Sequence, residues 1–197
     1  CRKSLVRSRS FGTRISEQGA LREALCTRVS RAAEKLRAEA LTARGLRVFI
    51  TTKRFGDGPH HRGAAGGHLP THTASTPKLA RATGELLERI YRPGIGYKKA
   101  GVLLYDLRPK RAGQPLALFE ASGAAASEGF VGEQRADEAL MGAVDTLNAQ
   151  YGRGTVQLAS CQTGEASGKE PAWAMKRNHT SPRYTTKWAD LPVAQTT

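Results

Sequence analysis

Residues 76–107, TPKLARATGELLERIYRPGIGYKKAGVLLYDL, decide the fold. Thr76-Pro77 is a helix start, a capping hydroxyl followed by a proline whose fixed φ suits the first turn. Leu79, Thr83, Leu86, Leu87, Ile90 and Tyr91 then recur every three to four residues and form one apolar face. Pro93-Gly94 stops the helix, and Gly101 to Leu107 is the most apolar strand of the chain. A helix that feeds an apolar strand is half of an α+β unit.

The other half lies upstream. Residues 4–11 read as a strand that puts Leu5, Arg7 and Arg9 on one face by period-two alternation, with Gly12 expected to end it. Ser16 is a candidate N-cap and Glu17 suits a first turn. Leu21, Leu25, Val29, Ala32, Leu36 and Ala40 mark the core stripe of the helix that follows. Arg22, Arg28, Arg31, Lys35 and Arg37 fill much of its remaining circumference, and Gly45 is expected to close it. Leu46 to Thr52 alternates as a strand, residues 53–67 read as a loop, and 68–74 reads as an edge strand because Pro70 cannot donate to a central ladder. The order is β-α-β-β-α-β over residues 1–109, the ferredoxin-like split βαβ arrangement.

Beyond Pro109 the composition shifts. Residues 110–133 read as a linker, with 120–133 rich in Ala, Ser, Gly and Glu and expected to be disordered. Within a C-terminal region, 134–197, Ala136, Leu140, Ala143, Val144 and Leu147 predict a small amphipathic helix. Thr155 to Leu158 predicts a short strand, and 162–170 a polar linker.

Charge divides the same way. The net charge is +14, but residues 1–111 hold 24 Lys and Arg against 8 Asp and Glu, whereas 112–197 hold 7 against 9. A basic module with a near-neutral tail reads as a polyanion-binding domain joined to a protein-contacting segment, with nucleic acid the first expectation. No apolar run approaches the roughly 18 residues of a membrane span and no signal peptide is visible. Cys1, Cys26 and Cys161 are odd in number and widely spaced, supporting neither a disulfide framework nor a zinc ribbon. A reducing cytoplasm is the expected compartment. The start at Cys1, inside a strand-like segment, suggests a piece of a longer protein.

Catalytic chemistry is not expected here. Phosphoryl transfer to a 3′-hydroxyl needs carboxylates converging on paired Mg²⁺ ions. The basic module's acids are instead mostly helix-borne (Glu17, Glu23, Glu34, Glu39, Glu85 and Glu88) and spaced as partners for Arg and Lys, with Asp57 in a loop and Asp106 at a strand end. His60, His61, His68 and His72 fall within thirteen residues, but Pro70 interrupts the helical spacing that zinc would need, so no metal site is predicted. If the first and last strands are neighbours, Lys3, Arg7, Arg9, Lys98 and Lys99 form a phosphate-binding patch that positions DNA without reading its sequence. Gln114, Leu116, Leu118 and Phe119 follow a flexible linker in the manner of a short peptide that buries two apolar anchors in a groove.

The C-terminal block carries the sharpest likeness. Trp173, Met175, Lys176, Ser181, Pro182, Tyr184, Thr185, Thr186, Lys187, Trp188 and Asp190 resemble, in order and spacing, the terminal block of the catalytic subunit of bacterial DNA polymerase V (UmuC), a Y-family translesion polymerase. Arg7 to Gly12 resembles the start of that family's little finger, and Lys98 to Leu104 its last strand. The resemblance implies a DNA-gripping little finger that lies across the major groove. The metal-binding acids and their Mg²⁺ would then lie in a palm upstream of it.

The parent activity it implies is error-prone synthesis across damaged template in the SOS response. Residues 114–119 resemble the sliding-clamp motif Q-L-x-L-F, with Pro115 displacing Gln114 by one position. The family's C-terminal region contacts a UmuD′ dimer and the recombinase filament, as the resemblance has it. Trp173, Tyr184 and Trp188 either pack on residues 134–158 or form such a partner surface. The competing expectation is a stand-alone nucleic-acid-binding module of the same topology.

Overall fold

The computed structural model describes residues 3–53, 60–110, 124–161 and 173–174, with side chains described for all of these except 124–134. Four strands and two helices follow the predicted order: β1 (Ser4–Ile15), α1 (Gln18–Ala38), β2 (Leu41–Thr51), β3 (Arg62–Thr73), α2 (Thr76–Ile90) and β4 (Tyr97–Pro109). A long helix, α3 (Ala124–Tyr151), and a single 3-10 turn, Ala159–Cys161, come after them. The fold is α+β, with one antiparallel sheet in the order β1-β4-β2-β3.

Both helices lie on one side of that sheet. Leu21, Leu25, Val29 and Leu36 of α1 meet Leu79 and Leu87 of α2 over Leu46, Val48, Ile50, Val102 and Leu104, all essentially without solvent exposure. Each such side chain contributes roughly 1.5–3 kcal/mol by leaving water. The predicted stripes of α1 and α2 are therefore the core faces, except that Ala40 falls outside α1 and is exposed, and Tyr91 follows the end of α2 and is half-buried. β3 is an edge strand, which is where Pro70 is tolerated.

Several boundaries move, each for a local reason. β1 runs past Gly12 to Ile15, because the register slips after Ser10 and Ile15 still pairs with Tyr97. The α1 cap residue is Glu17 rather than Ser16, and α1 ends at Ala38. Ala40 adopts φ 50°, the left-handed turn that starts β2, so Gly45 is a mid-strand residue and not a helix terminator. Residues 62–67, expected as loop, are the first half of β3. Ser75 holds the N-cap position of α2, one residue earlier than read, without a side-chain capping hydrogen bond.

The C-terminal half departs further from expectation. Residues 124–133, expected to be disordered, are helical and open α3, while Thr155 to Leu158 forms no strand. α3 is fastened to the body mainly by charge. Arg37 donates from Nε and Nη2 to the two carboxylate oxygens of Asp145 at 2.6 and 2.7 Å, and Lys78 and Lys110 pair with Asp137 and Glu138. Cys26 of α1 is disulfide-bonded to Cys161, their Cα atoms 5.2 Å apart, which corrects the expectation of unconnected cysteines. A lone pair 135 residues apart has no spacing signature.

Candidate nucleic-acid interface

The helices cover one face of the sheet and leave the other open. Strand pairing fixes what that open face carries. One row across it is Ser10, Lys99, Thr51 and Arg62; the next is Ser8, Gly101, Phe49 and Ala64. Then come Val6, Leu103, Arg47 and Gly66, and finally Ser4, Tyr105, Gly45 and His68. Because paired residues share a face and alternate residues do not, these are the partners of the core positions turned outward.

Two properties of this face follow from the residue types. Its relief is low: a β-carbon at Gly101 would collide with Phe49 and Ser8, and one at Gly45 with the ring of Tyr105, so both rings lie flat over glycine. Tyr105 is further fixed by an edge-on contact with His68 at 5.3 Å and by its hydroxyl donating to Gly67 O at 3.3 Å. Its charge is of one sign. Arg47, Arg62 and Lys99 are exposed and make no ion pair with a described residue. The only acid in the four strands is Asp106, engaged with His72 and Arg108 instead.

The residues predicted to bind phosphate do not share this face. β1 and β4 are neighbours as required, but Lys99 pairs with Ser10 on the open side, whereas Arg9 pairs with Ala100 and Arg7 with Val102 on the helix side. Lys98 spends its ammonium on Gly12 O at 2.9 Å, and Lys3 is exposed just before β1. Sequence reading passed over Arg47, Phe49, Arg62 and Tyr105. The alternation of Leu46, Val48 and Ile50 with Arg47, Phe49 and Thr51 was the available signal for the first two.

Gln114, Leu116, Leu118 and Phe119 lie outside the described residues, as do Met175, Lys176, Ser181, Pro182, Tyr184, Thr185, Thr186 and Trp188. Trp173 is described and belongs to the core of the sheet domain, 5% exposed. Its contacts are with the sheet domain: the carbonyl of its neighbour Ala174 accepts from Gly12 N of β1 at 3.0 Å, and the Arg28 guanidinium stands over its ring.

The histidines are scattered rather than convergent. His60 contacts Lys53 O, His61 lies edge-on to Tyr97 with its pKa lowered by burial and by Arg92, and His72 faces Asp106. Among the described residues no group of three or more His, Cys, Asp or Glu could hold a metal ion, and no helix is long and apolar enough to cross a membrane.

Geometry thus defines a basic α+β domain with one covered and one open sheet face. The chain belongs to the impB/mucB/samB family: residues 2–116 match that family's C-terminal domain, and residues 138–194 match a domain of unknown function (DUF4113). Protein ImpB and Protein SamB of Salmonella typhimurium are each 36% identical to it, over 98% and 100% of this chain. Protein UmuC of Salmonella typhimurium strain LT2 is 35% identical over 96%. The chain spans 42% of the length of each of these relatives. A solved structure described as the insertion ternary complex of Dbh DNA polymerase aligns with 53% of this chain and 29% of its own at TM-score 0.43 and 11% identity.

Proposed function

We propose that this chain is the DNA-gripping and recruiting portion of an error-prone translesion DNA polymerase of the SOS response. In this reading the open face of its sheet is laid against primer–template DNA. The observation that carries the reading is the face itself: free of acids in its paired rows, low in relief, and bearing Arg47, Arg62 and Lys99 exposed with no ion pair to a described residue. Unpaired cations on a rigid surface suit phosphodiester oxygens, and phosphate contacts hold a duplex without reading its bases. An enzyme that accepts damaged template needs that indifference to sequence.

Recruitment falls to the segments that follow. Residues 114–119 serve as a sliding-clamp peptide, with Leu118 and Phe119 as apolar anchors, Leu116 beside them and Gln114 as the polar contact. The C-terminal region serves as the contact for a UmuD′ dimer and a recombinase filament. Nucleotide addition belongs to a palm elsewhere in the polymerase, where Mg²⁺ supplies the Lewis acidity for phosphoryl transfer. The described residues of this chain do not fit a pair of Mg²⁺ ions, because their acids are dispersed, several of them engaged with cations, and no three of them converge. No step of synthesis is assigned to them.

Fluorescence anisotropy of labelled primer–template, titrated with the full chain between low and moderate salt, tests the reading. Affinity should be insensitive to sequence, and log K should fall against log salt by about 0.9 per phosphate engaged. Salt-independent binding, or none, would remove DNA from the account.

A further inference from the structure

Arg28 is buried on α1, 8% exposed, yet nothing accepts a hydrogen bond from its Nη2. Its guanidinium carbon stands 5.2 Å from the ring centroid of Trp173, whose own Nε1 is likewise buried without an acceptor. Two donors and no acceptor therefore meet at one place. Around them are three more guanidinium groups: Arg31, one turn further along α1, and Arg7 and Arg9 on the helix side of β1. Burial first, then the charges of Arg31, Arg9 and Arg7, push Arg28 down to about 10. Among the described residues no acid is paired with Arg7, Arg9, Arg28 or Arg31. Elsewhere on the helices the cations do find acids, as in Arg22 with Glu88, Lys35 with Glu39 and Arg81 with Glu85.

A cluster of like charges with unfilled donors is unfavourable until an anion arrives, and the arginine fork matches the paired oxygens of a phosphate. β1 is an edge strand, so Ser8 and Ser10 look to the open face while Arg7 and Arg9 look the other way. A polyanion lying on the open face and leaving past this edge would meet the cluster next. We propose that Arg7, Arg9, Arg28 and Arg31, backed by Trp173, form a second phosphate site, on the helix side of β1, for a nucleic-acid strand that passes the edge of the sheet. It deepens the reading of this chain as a DNA-binding one and rests on it. A phosphate suits the four positive charges better than single carboxylates do, because each strand phosphate brings its neighbours with it.

The test compares salt slopes of primer–template binding for the full chain and three variants. R7A/R9A/R31A leaves the buried Arg28 and Trp173 in place, and R7K/R9K/R31K keeps charge while removing the forks. R47A/R62A/K99A empties the open face. The alanine triple should flatten the slope by about 0.9 for each phosphate it releases, additively with the open-face triple, while the lysine triple keeps most of the slope. The lysine triple also controls for folding, since an equal loss in both helix-side variants points to damage to the domain and overturns the site. An unchanged slope in R7A/R9A/R31A, alongside a flattened one in R47A/R62A/K99A, overturns the second site and leaves the open-face reading intact. If neither triple changes the slope, both readings fall. Poly-L-glutamate is the last arm: if the cluster binds it and the alanine triple loses that binding but not DNA, the ligand is an acidic protein and the phosphate assignment is wrong.

Discussion

Phe49 lies over Gly101 at the middle of the open face, in space that any β-carbon at residue 101 would take. The contact joins the two central strands, β2 and β4, and keeps the surface above them flat. Ser8 crowds the same point from β1. Gly101→Val should therefore force the ring and the strand apart and destabilise the domain by about 1–3 kcal/mol, the usual range for overpacking a tight site. Urea unfolding followed by circular dichroism measures it. A variant as stable as the parent would show that the ring is free to leave.

Asp145 holds α3 to α1 through both oxygens, and Arg37 has further acceptors in Ala74 O and Thr76 Oγ1. Removing the acid should release the helix and leave the arginine placed. Asp145→Ala is expected to loosen α3 by about 1.5–3 kcal/mol, the range for charged hydrogen bonds. Hydrogen exchange should quicken in residues 135–151 and hardly change in α1. Uniform quickening across both helices would mean that the pair supports the whole domain.

Primer extension bears on the division of labour. With Mg²⁺, deoxynucleotides and primed template, the purified chain should extend nothing, because no carboxylate set for paired metals exists among its described residues. Reproducible extension would require a metal site that the fold does not present.

The clamp proposal has its own measurement. Labelled peptide 111–121 titrated against a bacterial sliding clamp should saturate in the micromolar range. Leu118→Ala with Phe119→Ala should abolish that binding, since each anchor contributes roughly 1.5–3 kcal/mol on burial. Gln114→Ala should weaken it less, because Pro115 shifts the glutamine out of register. No saturable binding at tens of micromolar would eliminate the clamp.

The elements were legible where one residue type settles them. Pro70 places β3 at an edge, and Leu79, Leu86, Leu87 and Ile90 define the buried side of α2. Facts that depend on pairing were not legible. Arg7 and Lys99 fall on opposite sides because Ser10, not Arg9, pairs with Lys99, and no local pattern states that register. Gly45 reads as a helix terminator until Tyr105 is seen lying over it. Arg28 is polar by type, but its position beside Leu25 and Val29 puts it under Trp173, a residue 145 positions away that sequence spacing cannot bring near.

DNA lying on the open face should be repelled by a single negative charge placed there. Ala64 is exposed on that face, on the edge strand β3 beside Phe49, while Gln150 is exposed on α3. Ala64→Glu and Gln150→Glu add the same single negative charge. Anisotropy at low salt should show Ala64→Glu losing at least about tenfold in primer–template affinity, a 1.4 kcal/mol effect, with Gln150→Glu near the parent. Equal affinities for the two variants would contradict the account.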